Sequence, residues 1–427
     1  MVDAAPFRGL RYAPSVAGSP LSTSAPATDD IDRFDYARHR TASPYTVLEL
    51  VAPRSASDGY AAGAAALARW RRTGVVALDP RPAFYVYEQH VPADASGPAH
   101  VQRGVLAAVA VETGAPEQVL PHEDTDPLRV AGRLARLLAV PVDIAPVHTI
   151  AGELGAELAA LFGAVLARPP LVTLVDEIGA RHTICATDGR EEVTAVRELL
   201  AGQRVLLADG HHRYAAAIAL RRRRPDDWAA ARILMLVADS RRDGPRVLGM
   251  HRLLARLSAD WPAVLAPQFD AVPSVANAAG LLSALGMEPP GTVALRVAGD
   301  GVLLRPRDAA ALRAGLGRGS ARWRALDTVL VDHVLLPLLG VEPAAVTARA
   351  DAEGAAAEVD AGAAGALVLL RPTPLEAIRA LAIAGERMPA KSTSFRPKPR
   401  TGLILRSRTD GIASAQESRV ADGENRP

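Results

Sequence analysis

Apolar positions along the chain fall into two patterns: short unbroken runs, and longer segments with helical spacing. Short runs bounded by prolines, glycines or charged residues predict β-strands. Segments in which Leu and Ala recur every three or four positions predict helices. Because the two patterns are mixed without a regular strand–helix alternation, they predict an α+β fold with mixed sheets. The predicted strands cover residues 43–53, 84–91, 105–112, 171–177, 181–187, 205–208 and 232–240, and the clearest helices cover 127–140, 151–167 and 191–202.

The second half of the chain shows the same mixture in a less regular order. Residues 292–306 predict a hairpin around a Gly-Asp-Gly turn, residues 321–340 a helix, and residues 365–389 a strand, a loop and a helix. A chain of 427 residues has room for about two to three domains of roughly 150 residues. We therefore expect an N-terminal α+β region at 1–165, a central region at 166–260, a C-terminal α+β region at 261–406 and a disordered tail at 407–427.

Composition narrows the class of protein. A content of 49% hydrophobic and 22% charged residues is typical of a soluble globular protein. The net charge of +2 is too small to steer the whole molecule to nucleic acid, and the single cysteine excludes an intramolecular disulfide. No signal-peptide pattern is present, and no uncharged apolar run approaches the roughly 18–20 residues of a membrane span. We expect a cytoplasmic protein with a small-molecule substrate and no membrane or nucleic-acid partner; a homo-oligomer stays open.

The segment ADGHHRYAAAIALRRRR, residues 208–224, is the first candidate for chemistry. An apolar strand leads to an Asp-Gly turn and an alanine-rich helix follows, so Gly210, His211, His212 and Arg213 are expected near the helix N-terminus. Free N–H groups and the positive helix pole favour an anion there, by about 0.3–1 kcal/mol when exposed. Three basic side chains at a positive pole need a compensating anion, and a phosphate is the obvious candidate. In the simpler alternative, Asp209 caps the helix and the histidines are turn residues.

A metal site is a competing interpretation of this segment. Asp209, His211 and His212 all carry ligand atoms, but neighbouring helical side chains diverge by about 100°, which disfavours a shared ion. A magnesium ion held by carboxylates such as that of Asp209 and by nucleotide phosphates fits the segment better. The four arginines at 221–224 are expected at the surface, because cations suit the C-terminal end of a helix.

The segment LPHEDT, residues 120–125, is the second candidate. It places His122 beside Glu123, a pair that supplies general acid–base chemistry if burial or neighbouring charges shift a pKa toward neutrality. Solvated loop residues would look the same, so the pattern leaves both interpretations open.

The segment ERMPAKSTSFRPKPRTG, residues 386–402, is the third. It contains both lysines of the chain, Lys391 and Lys398, together with Ser392 and Thr393. All other Lys or Arg positions are arginine, so two clustered lysines indicate a site that needs a compact charge with a tunable pKa, with chance clustering as the alternative. Lysine with Ser or Thr suits a phosphate, although the spacing is not that of a P-loop.

These segments carry a resemblance to a known family. ADGHHRY, PHEDT, ERMPAKSTSF and PKPRTGL together resemble the bacterial and archaeal family called domain of unknown function 1015, and the resemblance runs from PFRGLRY at 6–12 to TGLILR at 401–406. The central turn also resembles the nucleotide-binding loop of the ParB/sulfiredoxin superfamily, which includes partition proteins that bind CTP, sulfiredoxins and free-serine kinases. This second resemblance implies a nucleotide-binding core in which Gly210, His211, His212 and Arg213 hold phosphates.

Some positions depart from these patterns. A histidine stands where sulfiredoxin chemistry needs a cysteine, so that activity is not expected. The N-terminal motif of the family is represented by Pro26 to Asp32 without its tyrosine, a further segment by Asp143 to Pro146, and a His-Asp pair only by Asp351 after Ala350. If these positions line the site, specificity or activity is altered in this chain.

The resulting hypothesis is an enzyme that binds a nucleoside di- or triphosphate with Mg²⁺ and transfers a phosphoryl group to a small hydroxylated metabolite, with serine as one candidate. Phosphoryl transfer depends on positioning and charge neutralisation, which the basic groups of the first and third segments supply. In this hypothesis His122 or Glu123 positions or deprotonates the acceptor, and Asp209 binds Mg²⁺ or orients His212. The alternatives are a nucleotide- or anion-sensing regulatory protein without turnover, and a metal-dependent hydrolase.

The remaining roles concern the phosphates. Lys391 neutralises their charge, and Ser392 and Thr393 donate hydrogen bonds to them. This requires three segments that are far apart in the sequence to meet in space.

Overall fold

The computed structural model describes residues 2–27, 33–51, 59–94, 97–114, 118–187, 189–275, 277–297 and 299–410. Within these ranges the chain forms a mixed α+β structure with several sheets, which confirms the predicted α+β class. The strands, in chain order, are β1 (Ala4–Ala5), β2 (Gly9–Tyr12), β3 (Val76–Leu78), β4 (Phe84–Val91), β5 (His100–Ala110), β6 (Val119–Leu120), β7 (Val142–Asp143), β8 (Val147–Ile150), β9 (Val172–Val175), β10 (Arg181–Thr187), β11 (Val205–Asp209), β12 (Arg232–Ala238), β13 (Arg246–Leu248), β14 (His251–Leu254), β15 (Phe269–Ser274), β16 (Val293–Val297), β17 (Asp300–Pro306), β18 (Val346–Arg349), β19 (Ala366–Leu369), β20 (Ser394–Arg396) and β21 (Leu405–Ser407).

Helices lie between most of the strands, and many of them are short. One π-helical turn, Val331–Leu335, and one 3-10 turn, Pro343–Ala345, lie in the C-terminal part. The α-helices are α1 (Pro14–Ala17), α2 (Pro20–Thr23), α3 (Arg33–Thr41), α4 (Leu48–Val51), α5 (Ala61–Arg72), α6 (Pro127–Ala139), α7 (Gly155–Leu166), α8 (Arg190–Ala201), α9 (His211–Arg223), α10 (Trp261–Leu265), α11 (Ala278–Gly286), α12 (Ala309–Ala314), α13 (Ala321–Arg324), α14 (Asp327–Leu330), α15 (Leu336–Leu338), α16 (Ala352–Asp360) and α17 (Leu375–Ile383).

The largest sheet of the described residues has nine strands in the order β6-β11-β8-β12-β5-β4-β10-β9, with β1 paired to β5. A six-stranded sheet in the C-terminal part has the order β15-β17-β16-β19-β14-β18. A smaller sheet, β3-β2-β21-β7, joins the two ends of the described chain, and β13 pairs with β20. The first and last parts of the sequence therefore pack together.

The nine-stranded sheet is buried on both faces. Along β5, Val105, Ala107 and Val109 belong to one apolar cluster, and the intervening Leu106 and Ala108 belong to another. Successive side chains of a strand point to opposite faces, so a central strand between two cores needs apolar residues at every position. This explains the unbroken apolar run at 105–111.

Most predicted elements of the first half are confirmed. The strands at 84–91 and 181–187 are β4 and β10, with the same bounds. The strand predicted at 43–53 is wrong, because Leu48–Val51 is the helical turn α4, and residues 52–53 lie outside the described residues. Leu48, Leu50 and Val51 are all buried, and periodicity cannot distinguish a short buried helix from a strand.

The predicted helix at 321–340 is broken into shorter pieces. It consists of α13, α14, the π-helical turn and α15, with Ala325 and Leu326 between the first two pieces. The alternation of apolar and polar positions is retained through the break, so the apolar pattern alone does not reveal it.

The structure also bears on the expected region boundaries and on the expected disordered tail. The nine-stranded sheet takes strands from both sides of the expected boundary at 165/166, so the division into three regions stays a prediction about separable folding units. The expected disordered tail is wrong for residues 407–410, because Ser407 ends β21 and Arg408 is buried. Residues 411–427 lie outside the described residues. No helix in the described ranges is long and apolar enough to cross a membrane.

A buried ion pair holds the C-terminal strand in place. Asp143, at the end of β7, lies 2.8 Å from Arg406 Nη1 and 2.6 Å from Arg408 Nη2, and its Oδ2 accepts the N–H of Leu234 at 3.0 Å. Burial alone would raise the pKa of Asp143, but the charges of Arg408 and Arg406 outweigh it and hold this pKa below its usual range. Two cations and a backbone amide compensate the desolvated carboxylate.

We predict that Asp143→Asn lowers the free energy of unfolding by about 3–5 kcal/mol, because it leaves two guanidinium groups buried without an anion. Urea denaturation measures the loss. Asp270→Asn is the control, because Asp270 and its partner Arg307 are 54% and 55% exposed, and an exposed pair contributes about 0–1 kcal/mol. Equal losses in the two variants would contradict the assignment.

The same ion pair predicts a pH dependence. Because the pKa of Asp143 is depressed in the folded state, its stabilisation is complete above the unfolded-state pKa and is lost as the pH falls through the folded-state pKa. Asp143→Asn should therefore show a weaker loss of stability on acidification than the unmodified protein. An identical acid dependence of the two unfolding curves would be the contrary result.

Candidate functional site

The candidate site is built around the start of α9. Strand β11 ends at Asp209, and Gly210 turns the chain into the helix with a left-handed φ of 97°. No side chain of the described residues caps this helix end. The first-turn amides therefore lack a side-chain acceptor, at the pole of the helix that favours anions.

Asp209 binds two cations that come from distant parts of the sequence. Its Oδ2 accepts a hydrogen bond from Arg213 in the first turn of α9, and its Oδ1 lies 3.2 Å from Lys398 Nζ. Arg213 also donates to the carbonyl of Pro146 at 2.7 Å. Burial would raise the pKa of Asp209, but Arg213 and Lys398 outweigh it and hold the pKa well below its usual range. Two cationic side chains therefore meet at one carboxylate beside the helix N-terminus.

His122 and His211 form a buried contact on the other side of this turn. The ring centroids are 4.6 Å apart in an edge arrangement, and the backbone N–H of His122 donates to His211 Nε2 at 3.4 Å. Burial lowers the pKa of His122 to about 4, and burial together with His122 lowers the pKa of His211 well below its usual value. Both rings are therefore neutral at physiological pH.

The expected concentration of three positive charges at the helix end is wrong. Burial keeps His211 neutral, and Arg213 is paired with Asp209. His212 accepts the backbone N–H of Asp126 through Nε2 at 3.1 Å, so it contacts the loop that follows Glu123. Two cationic side chains, those of Arg213 and Lys398, lie instead beside the helix N-terminus, the pole that favours an anion.

Glu123 links the second and third candidate segments. Its Oε1 lies 3.2 Å from the backbone N of Ser392 and 3.4 Å from Thr393 Oγ1. Burial raises the pKa of Glu123, and the charge of Lys391 opposes this rise only in part. A carboxylate whose pKa lies above its ordinary value is a stronger base than a solvated one.

The two lysines lie on different cavities. Lys398 lines a cavity of about 390 Å³, together with His182 and Arg246. Lys391, whose backbone has a left-handed φ of 58°, lines a larger cavity of about 1220 Å³ that also contains Trp323. The structure thus brings Lys398, and not Lys391, into contact with Asp209 of the first candidate segment. Neither lysine stands out from the other in the sequence, so only the fold distinguishes them.

A buried histidine beside Asp209 was not identified from the sequence. His148 lies opposite Asp209 in the β8–β11 pairing, is fully buried, and neither ring nitrogen has a hydrogen-bond partner among the described residues. Burial lowers its pKa to about 4. In the sequence it is a single histidine within the apolar strand VHTI, which gives no signal of a polar site.

The positions that depart from the family pattern lie in three places. Pro26, Ala350 and Asp351 line the smaller cavity. Asp143 belongs to the buried ion pair with the C-terminal arginines, and the carbonyl of Pro146 holds Arg213. Residues 28–32 lie outside the described residues.

The geometry does not fit the expected metal role of Asp209, because both of its carboxylate oxygens are engaged by cations. Across the part of the chain that the structure describes, no group of three or more His, Cys, Asp or Glu residues could hold a metal ion. The polar groups here suit an anion.

These features define a class of site: a strand–turn–helix corner with an ion-paired carboxylate at the turn and a carboxyl group of raised pKa nearby. The family profile described as "Protein of unknown function (DUF1015)" matches residues 4–328, which is more than half of the chain. The protein belongs to this family, as its motifs predict.

Comparison with solved structures finds low-scoring likenesses. They include "Free serine kinase in complex with AMP" (TM-score 0.35, 11% identity, 74% of this chain and 94% of that one). SbnI with a C-terminal truncation from Staphylococcus aureus gives a TM-score of 0.37 and 13% identity over 74% and 96%. A conserved hypothetical protein from Pyrococcus furiosus gives 0.34 and 12% over 73% and 97%.

TM-scores this low support no inference about fold or activity. No curated protein matches significantly. The resemblance of the turn to the ParB/sulfiredoxin superfamily stays a prediction.

We predict that Gly210→Ala destabilises the protein by more than the roughly 1–3 kcal/mol of left-handed strain alone. A Cβ at this position would lie 2.9 Å from Arg213 Nε, and the bonds of Arg213 to Asp209 and Pro146 resist its displacement. The control is Gly385→Ala, where φ is 71° and no described atom lies within 4 Å of the new Cβ. Chemical denaturation that gave the two variants equal losses would refute the close packing at Gly210.

Proposed function

We propose that this protein binds a nucleoside triphosphate at the N-terminus of α9 and transfers its terminal phosphoryl group to a small hydroxylated metabolite, such as an amino acid of the serine type. The observation that carries the proposal is the meeting of three segments at one corner. Glu123 contacts Ser392 and Thr393, while Asp209 contacts Lys398. Phosphoryl transfer requires such convergence of positioning groups and cations.

The phosphates are assigned to the α9 turn. The amides of residues 211–213 would donate to phosphate oxygens, and Gly210 lets the backbone approach closely because it has no side chain. Arg213 and Lys398 would supply the cationic charge, with Asp209 fixing their positions. This replaces the metal-binding role expected for Asp209, and His212 would hold the 124–126 loop against the turn.

The proton transfer is assigned to Glu123. Burial raises the pKa of Glu123, so the carboxylate is a stronger base than a solvated one. It would accept the proton of the acceptor hydroxyl, and Lys391 beside it would bind an anionic group of a substrate. The hydroxyls of Ser392 and Thr393 contact the carbonyl of Pro389 and the His122 ring, so neither is assigned to the phosphates. The two lysines also line cavities, of about 390 Å³ for Lys398 and about 1220 Å³ for Lys391.

A nucleotide- or anion-sensing protein without turnover is the second candidate. It is favoured by the pairing of Asp209 with Arg213 and Lys398, because a carboxylate engaged by two cations is not available to a reacting group. Binding without consumption of the nucleotide distinguishes it from the enzyme.

We predict that ATP with Mg²⁺ raises the thermal midpoint of the protein and that Arg213→Ala largely removes this rise. A ligand at a hundred times its Kd stabilises by about 2.7 kcal/mol, and a lost hydrogen bond to a charged group costs about 1.5–3 kcal/mol. Arg224→Ala, at the other end of the same helix, is the matched control and should keep the rise. Absence of any shift in the unmodified protein at millimolar ATP would refute the proposed site.

We predict that Glu123→Gln retains the ATP-dependent thermal shift but lowers phosphoryl transfer by about 10²–10⁴-fold, because the proton acceptor is lost. Transfer is measured across a panel of hydroxylated metabolites. In the unmodified protein the rate should rise with pH through the elevated pKa of Glu123 and level off above it. Normal transfer in the variant would remove Glu123 from this role, and no transfer to any acceptor would favour the sensor.

A further inference from the structure

The hydrogen bonds of His122 define which of its ring nitrogens carries the proton. Its Nδ1 lies 2.8 Å from the carbonyl oxygen of Leu207, and a carbonyl oxygen only accepts, so Nδ1 donates. The Nε2 lone pair is therefore free to accept the Thr393 hydroxyl, whose Oγ1 lies 2.9 Å away. A hydroxyl on a base that a third group orients is the arrangement found in activated nucleophiles.

Packing holds His122 in place against Thr393. His122 is fully buried, and its ring meets the rings of His211 and Phe395 edge-on, at centroid distances of 4.6 and 5.8 Å. Burial lowers the pKa of His122 to about 4, so the ring stays neutral and its lone pair stays available at physiological pH. Thr393 itself is only partly buried and can meet a reactant.

The pair also lies next to the proposed phosphate site. His211, the first residue of α9, accepts the backbone N–H of His122 at 3.4 Å, so the residue that contacts Thr393 also contacts the start of α9. On its other side, Thr393 Oγ1 is 3.4 Å from Glu123 Oε1. Thr393 therefore contacts both His122, which adjoins the start of α9, and Glu123, the group assigned to the acceptor.

We propose that Thr393 is the first acceptor of the phosphoryl group and that the reaction passes through a phosphothreonine at this position. The inference rests on the proposed function, because it requires a nucleoside triphosphate at the α9 turn. Thr393 Oγ attacks the terminal phosphorus and forms the new P–O bond. The bond from phosphorus to the bridging oxygen breaks, nucleoside diphosphate leaves, and the hydroxyl proton moves to His122 Nε2.

The second step restores the protein. The acceptor hydroxyl attacks the phosphorus of phosphothreonine and loses its proton to Glu123, and the P–O bond to Thr393 breaks. The threonine oxygen takes back the proton held on His122 Nε2. The phosphorylated metabolite leaves and Glu123 releases its proton to solvent, so the two steps together transfer one phosphoryl group and release one proton without another reactant.

The test is isotope exchange between labelled ADP and ATP, with Mg²⁺ and without any acceptor, on the full chain. The first step alone is sufficient for exchange, so the unmodified protein should exchange label and carry a phosphothreonine at residue 393 in peptide mass spectra. Thr393→Val should lower exchange by at least about a thousandfold, as expected for loss of a nucleophile, while keeping the ATP-induced thermal shift. Glu123→Gln should keep exchange, because Glu123 acts only in the second step.

Two variants control for structural damage. Thr183→Val removes a partly buried hydroxyl from β10 and should leave exchange unchanged. Thr393→Ser keeps the hydroxyl and should keep exchange with a phosphoserine at the same position, which decides the case even if Thr393→Val fails to fold. His122→Gln should lower exchange by about 10²–10⁴-fold, because the proton acceptor is lost.

The experiment distinguishes failure of the covalent step from failure of the proposed function. An ATP-induced thermal shift together with phosphoryl transfer, but without exchange or phosphothreonine, would overturn the covalent step and leave the proposed function intact. Exchange in Thr393→Val at the rate of the unmodified protein would also overturn it. No ATP-induced shift in the unmodified protein would overturn the proposed function, and the covalent step with it.

Discussion

The sharing of Asp209 between Arg213 and Lys398 is the interaction on which the candidate site depends. Asp209 ends a buried strand, where an unpaired carboxylate would be costly, so both cations are needed to compensate its desolvation. Arg213 comes from the helix that follows directly, whereas Lys398 comes from the distant C-terminal segment. The ion pair therefore does two things at once: it holds the start of α9 and attaches the end of the chain to the nine-stranded sheet.

Other contacts of the C-terminal segment also attach it to the rest of the protein. Thr393 and Ser392 meet His122 and Glu123, and Arg406 meets Asp143. These contacts bury the polar groups of the corner and thereby shift their proton affinities: the imidazole of His122 becomes a weaker base, while the carboxyl group of Glu123 becomes a weaker acid. The chemistry proposed for the corner follows from this burial, which no single segment could produce alone.

The sequence predicted the longer strands of the large sheet because their apolar runs are long and bounded by polar segments, as β4 and β10 show, but it missed the short strands β1, β6 and β8. It failed for α4, where a short buried run has no readable period, and for 321–340, where a break preserves the apolar pattern. The candidate segments were identified from residue types, and their meeting was a hypothesis. Three features depend on tertiary structure, which local spacing does not encode. They are the lysine that reaches Asp209, the neutral state of His211, and the position of His148 beside Asp209.

The central claim is that nucleotide phosphates lie at the N-terminus of α9. A crystal structure with a non-hydrolysable ATP analogue tests it most directly. We predict phosphate oxygens within hydrogen-bond distance of the amides of residues 211–213, with Arg213 and Lys398 turned toward them and the terminal phosphate facing Thr393. An analogue bound with its phosphates away from this turn, or a corner unchanged at saturating analogue, would contradict the claim.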